Sequence, residues 1–90
     1  MGEYFHLYIK VDCPFCADAI NLLSAEQKEF IVTVMDKSPF FVEEVKKQFN
    51  HPTVPVVLHV GGGNEVPEGN VLLVGGYDQL REYLARVPDA

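Results

Sequence analysis

From Tyr4 to Val11 the apolar residues Phe5, Leu7, Ile9 and Val11 alternate with Tyr4, His6, Tyr8 and Lys10, and this period of two predicts a strand with one buried face. The strand stops at Asp12. From Pro14 to about Gln27, Ala17, Ile20 and Leu23, joined by Ala19 and Leu22, recur at helical spacing. Pro14 suits a first helical position, where its missing N–H costs nothing. The run from Phe30 to Met35, rich in β-branched residues, predicts a second strand. Ser38-Pro39 then reads as an N-cap followed by a proline in the first turn of a helix. Phe41, Val42, Val45 and Phe49 supply the apolar face of that helix, Glu43, Glu44, Lys46 and Lys47 face water, and His51-Pro52 ends it.

Two more apolar runs, Val54 to Val60 and Val71 to Val74, predict an antiparallel pair joined by a Gly61-Gly62-Gly63-Asn64 turn and the segment through Gly69-Asn70. After Gly75-Gly76, Asp78 is expected to cap a last helix that buries Leu80, Tyr83, Leu84 and Val87. The order is βαβαββα. A right-handed first βαβ crossover and a final hairpin then give an α/β fold with one mixed four-stranded sheet flanked by helices.

Ninety residues suffice for one compact domain, expected over 1–90, and 48% hydrophobic against 22% charged residues can build its core. Thirteen acidic and seven basic residues give a net charge of −6, which repels nucleic acid and anionic membrane surfaces. No basic patch beyond Lys46-Lys47 offsets it. The N-terminus lacks the features of a signal peptide, and no apolar stretch approaches the roughly 20 residues that span a bilayer. A soluble, cytoplasmic, monomeric protein is expected. Met1-Gly2 invites a myristoylation reading, but His6 stands where that motif wants Ser or Thr.

The two cysteines, Cys13 and Cys16, are separated by two residues at a strand-to-helix junction. They are no disulfide scaffold. Unpaired N–H groups and the positive end of a helix favour a thiolate at Cys13, with Lys10 adding positive charge. Cys16, one turn later, is near enough to act as a resolving thiol. In the expected cycle Cys13 attacks a substrate disulfide, and the mixed disulfide is released by Cys16 or by an incoming thiol. Zinc would need more ligands than the scattered His6, His51 and His59 provide, so no metal is expected, and each histidine reads as a surface or strand residue.

Lys10-x-x-Cys13-Pro14-Phe15-Cys16, Thr53-Val54-Pro55 and Gly75-Gly76-Tyr77-Asp78, in that order, cover essentially the whole chain, which resembles the glutaredoxin family within the thioredoxin fold. The resemblance implies a thiol-disulfide oxidoreductase that uses glutathione as co-substrate. It would reduce disulfide-containing or glutathionylated proteins, with ribonucleotide reductase a candidate acceptor. It further implies a cis bond before Pro55, whereas the residues alone favour Pro55 starting a strand. Val54 would offer backbone groups to the cysteinyl part of glutathione, beside Thr53 and Pro55. Gly76, Tyr77 and Asp78 would receive the γ-glutamyl end, and Gln79 replaces a second acidic residue common in the family. Lys10 is the first candidate for the glycine carboxylate, with Lys46, Lys47 or Gln48 behind it. Phe15, where many relatives have Tyr, would contact glutathione or protein substrates, or pack over the cysteine loop. Three alternatives accompany this reading: an electron donor coupled to thioredoxin reductase, an iron-sulfur cluster carrier, and a binding module that uses the fold alone. The Gly61-Gly62-Gly63 stretch lacks the Lys-Ser or Lys-Thr of a phosphate loop and reads as a turn.

Overall fold

A computed structural model describes residues 2–63 and 65–87. Met1 of the myristoylation reading and Asn64 of the predicted turn therefore lie outside the described residues. The elements are β1 (Tyr4–Ile9), α1 (Pro14–Ala25), β2 (Phe30–Val34), α2 (Pro39–Gln48), β3 (Val56–Val60), β4 (Val71–Gly75) and α3 (Tyr77–Arg86). The sheet order is β2-β1-β3-β4, with β1 parallel to β2 and antiparallel to β3, and β3 antiparallel to β4. This is the expected mixed sheet.

Alternation along β1 sorts the core into two layers. Phe5, Leu7 and Ile9 pack with Val57 against Cys16, Ala19 and Leu23 of α1 and Leu80, Tyr83 and Leu84 of α3. The other face of β3, Val56 and Leu58, meets Met35 and the Val42 and Val45 side of α2, with Tyr8 and Phe49 at its margin. Two helices thus cover one face and one covers the other. The outer strands are poorly covered, since Ile31, Val32 and Val34 of β2 and Val71, Leu72 and Leu73 of β4 are all exposed.

The differences from the sequence pattern have local causes. β1 ends at Ile9 because Val11 is exposed and its N–H donates to Asp36 Oδ1 at 2.8 Å, leaving the ladder. β3 begins at Val56, after a cis Val54–Pro55 bond, since Pro55 has no N–H for a ladder. α1 stops at Ala25, and Gln27 adopts a left-handed φ of 57° in the turn that follows. Phe41 lies partly in solvent, so Val42 and Val45 carry the buried side of α2.

Asp78 does not cap α3. Gly76 holds the N-cap position, and the Gly76 N–H donates to Oε1 of Gln79 at 2.9 Å. Gln79 thereby forms the returning half of a capping box, while Gly76 has no side chain for the other half. Asp78 stands in the first turn, where its charge suits the helix dipole.

His59, expected at a surface or in a strand, is fully buried in β3. Its Nε2 contacts Glu3 Oε1 at 2.8 Å and its Nδ1 contacts the Tyr83 hydroxyl at 2.6 Å. A carboxylate accepts, so Nε2 carries the proton and Nδ1 accepts from Tyr83. The ring also stacks on Phe5 at 4.5 Å.

Candidate functional site

Cys13 is the N-cap residue of α1, with extended backbone at φ −140° and ψ 106°, and Pro14 opens the helix. The Cys16 N–H donates to Cys13 Sγ at 3.2 Å, as an N-cap side chain accepts from the first turn. Val54, on the loop before β3, offers its carbonyl oxygen 3.9 Å from the same sulfur. Both cysteines are free thiols.

Burial separates the two. Cys13 is half-buried, whereas Cys16 is 1% exposed within the core under α1. Burial, reinforced by the hydrogen bond to Cys13, pushes the Cys16 thiol up to about 12, with a backbone hydrogen bond at Lys10 acting the other way. At neutral pH Cys16 is a thiol.

Beside Cys13 lies an open hollow of about 300 Å³ lined by Phe15, His51, Thr53, Val54, Pro55, Gly76, Tyr77, Asp78 and Gln79. One wall is the α2–β3 loop and the other is the start of α3. Phe15 is 59% exposed and stacks on Tyr77, with ring centres 6.3 Å apart and planes 26° from parallel. Arg81 lies 5.9 Å from the Tyr77 ring and 3.7 Å from Asp78 Oδ1, a pair in solvent that adds little stability. Phe15, Thr53, Val54, Pro55, Gly76, Tyr77 and Asp78, all singled out from the sequence, thus share one hollow.

Lys10 is not among its lining. It lines a separate hollow with Asp36, Glu43 and Lys46, and Lys46 and Lys47 line a third that reaches His51. Lys46 therefore shares a hollow with Lys10, while Lys47 does not. Among the described residues no group of three or more His, Cys, Asp and Glu side chains is arranged to hold a metal ion.

Two lining residues, His51 and Gln79, were not assigned to the site from the sequence. The signal for His51 was present in Asn50. This residue adopts φ 51°, and the N–H groups of Asn50 and His51 return to the carbonyls of Lys47 and Lys46 at 3.2 and 2.9 Å. That is a Schellman end, which an asparagine before His-Pro can announce, and it aims the residue after it. Gln79 departs from the pattern of an acidic residue at this position, but its turn back onto Gly76 depends on side-chain geometry.

A mixed four-stranded sheet with a C-x-x-C pair at the head of its first helix defines the thioredoxin-like class of thiol proteins. The family model described as Glutaredoxin matches residues 6–63, and the chain belongs to the glutaredoxin family. Among solved structures, glutaredoxin 1 from Francisella tularensis, crystallised with cacodylate, superposes with a TM-score of 0.74 at 15% identity, covering 99% of this chain and 100% of that one. The solution structure of glutaredoxin from Brucella melitensis gives a TM-score of 0.64 at 22% identity, covering 92% of this chain and 79% of that one. These likenesses establish the fold. No curated protein matches the chain. Family and fold together support a thiol-disulfide oxidoreductase role.

Proposed function

We propose that the protein is a glutathione-dependent dithiol oxidoreductase in which Cys13 is the nucleophile and Cys16 the resolving thiol. The observation that carries this reading is the unequal setting of the two sulfurs. One sits at a helix N-cap beside an open hollow, and the other is buried with its thiol pushed up to about 12. Only the first lies where a substrate can reach it.

In the first step the Cys13 thiolate attacks one sulfur of a substrate disulfide. The substrate S–S bond breaks, a new S–S bond forms to Cys13, and the departing sulfur leaves as a thiolate that takes a proton. With a glutathionylated protein, glutathione remains on Cys13 and the protein thiol leaves. A second glutathione thiolate then attacks the glutathionyl sulfur, oxidised glutathione leaves, and Cys13 is restored. With a protein disulfide, Cys16 must lose its proton and attack Cys13, giving the Cys13–Cys16 disulfide and two substrate thiols. The thiolate expelled in the first step is a ready acceptor for that proton.

The hollow supports glutathione as co-substrate. Thr53, Val54 and Pro55 lie along one wall for its cysteinyl portion, and Gly76, Tyr77 and Asp78 along the other for its γ-glutamyl end. Lys10 and Lys46, which line a separate hollow together, are the candidate cations for its glycine carboxylate. Phe15, exposed beside Cys13, is a contact for protein substrates, with ribonucleotide reductase an acceptor to be tried. A reducing compartment such as the cytoplasm would keep the dithiol form available.

The test is NADPH consumption with glutathione and glutathione reductase, against a parallel arm with thioredoxin reductase. Cys13→Ser should abolish turnover of every disulfide. Cys16→Ser should keep removal of glutathione from mixed disulfides and lose reduction of protein disulfides. Turnover only in the thioredoxin-reductase arm, or equal loss in both variants, would overturn the reading.

A further inference from the structure

The chemistry of the hollow's two walls is unbalanced in a way that His51 repairs. Gln79, in place of a second acid, carries no charge, and its Oε1 already accepts the Gly76 N–H at 2.9 Å. Asp78 is then the one carboxylate among the described lining residues. The opposite wall carries the His51 ring, with Cε1 3.7 Å from the point where a side chain at Gly76 would begin.

Two restraints fix that ring. The Schellman end of α2 holds the His51 backbone, and Nδ1 lies 2.9 Å from the Thr53 carbonyl oxygen. A carbonyl only accepts, so Nδ1 carries a proton, which leaves Nε2 as the ring nitrogen able to accept. His51 is therefore a preset acceptor in the hollow that Asp78 also lines.

We propose that His51 is a specificity-determining residue for the γ-glutamyl head of glutathione, its Nε2 accepting a hydrogen bond from the α-ammonium group. The proposal rests on the glutathione reading above. An α-ammonium group brings three donors, and Asp78 together with His51 Nε2 supplies acceptors from both walls. The carboxylate of the same head is left to the Tyr77 and Asp78 N–H groups at the start of α3.

The test separates this contact from a merely structural role for the ring. His51→Asn keeps an amide N–H near the position of Nδ1, and so the bond to the Thr53 carbonyl, but removes Nε2. Affinities are measured by calorimetry or NMR titration for S-methylglutathione, which cannot exchange, and for its desamino analogue, which lacks only the α-ammonium group. The wild-type protein should prefer S-methylglutathione, and His51→Asn should lose about tenfold in affinity for it, in the range of a hydrogen bond to a charged group. Affinity for the desamino analogue should be equal in the two proteins. Equal losses for both ligands, or no loss for either, would overturn the role of His51. Absence of glutathione-coupled turnover in the wild-type protein would instead sink the functional reading itself. If S-methylglutathione does not bind the wild-type protein, both fall.

Discussion

Cys13 and Cys16 differ by three positions in sequence and by most of their exposure to solvent. Iodoacetamide at pH 7.5 should therefore modify Cys13 alone in the folded, reduced protein, with Cys16 labelled only after denaturant is added; peptide mass spectrometry reads the site directly. The raised Cys16 thiol also ties stability to pH. In the unfolded chain that thiol ionises near an ordinary value of about 8.5, whereas in the folded protein it holds its proton to about 12. Above pH 8.5 the unfolded state binds fewer protons than the folded one, so stability falls as pH rises through that window. Urea unfolding of the reduced protein at pH 7.5 and pH 10 should show this loss, and Cys16→Ser should flatten it. A unit change of the two midpoints in parallel in both proteins would refute the assignment to Cys16. The sequence made the cysteine pair and its place at a helix start legible, because the strand-to-helix change of period occurs there. It could not reveal the burial of Cys16, which depends on where the α3 residues Leu80 and Leu84 come to rest.

At the scale of elements, the caps fix where the site walls stand. Ser38 Oγ accepts the Phe41 N–H at 3.2 Å, and Ser38→Ala should destabilise the protein by about 1 kcal/mol, read as a midpoint drop in thermal unfolding of about 4–8 °C. Gly75 is the more sensitive position. Its φ is +123°, and a methyl group there would meet Gln79 Cβ and Cγ at 2.9 Å. Gly75→Ala should cost about 1–3 kcal/mol through backbone strain and also push Gln79 off the Gly76 N–H, so glutathione-coupled activity and melting temperature should fall together. Periodicity exposed β1 and the helices, and short apolar, β-branched runs exposed β2, β3 and β4. Their ends were harder. Val11, Val54 and Pro55 continue the apolar pattern yet leave the sheet, and the α3 cap fell on a glycine that no side-chain rule selects.

For the whole molecule, the Glu3–His59–Tyr83 chain links the segment before β1 to the middle of β3 and to α3, away from the residues that line the candidate site. Burial, then the charges of Glu65 and Glu3, pushes the Tyr83 phenol up, which keeps it a donor to His59. Glu3→Ala strands the buried Nε2–H and should cost about 1–3 kcal/mol in urea unfolding. Combined with Tyr83→Phe, the loss should be less than the sum of the two, because both act through one ring. The Gly61-Gly62-Gly63 stretch lies in the connection between β3 and β4. What its composition hid is that a side chain at Gly63 would run into the Glu3 carboxylate, so the turn is small in order to seat that residue.

The bare outer strands of the sheet have a practical consequence. β2 and β4 each end the hydrogen-bonded ladder with valine, leucine or isoleucine in water, so two copies brought together at high concentration can extend one another's sheets and precipitate. A lysine at Val34 or Leu72 would interrupt such stacking without touching the thiol pair. Crowded samples, not dilute ones, are where this small protein will be hardest to keep in solution.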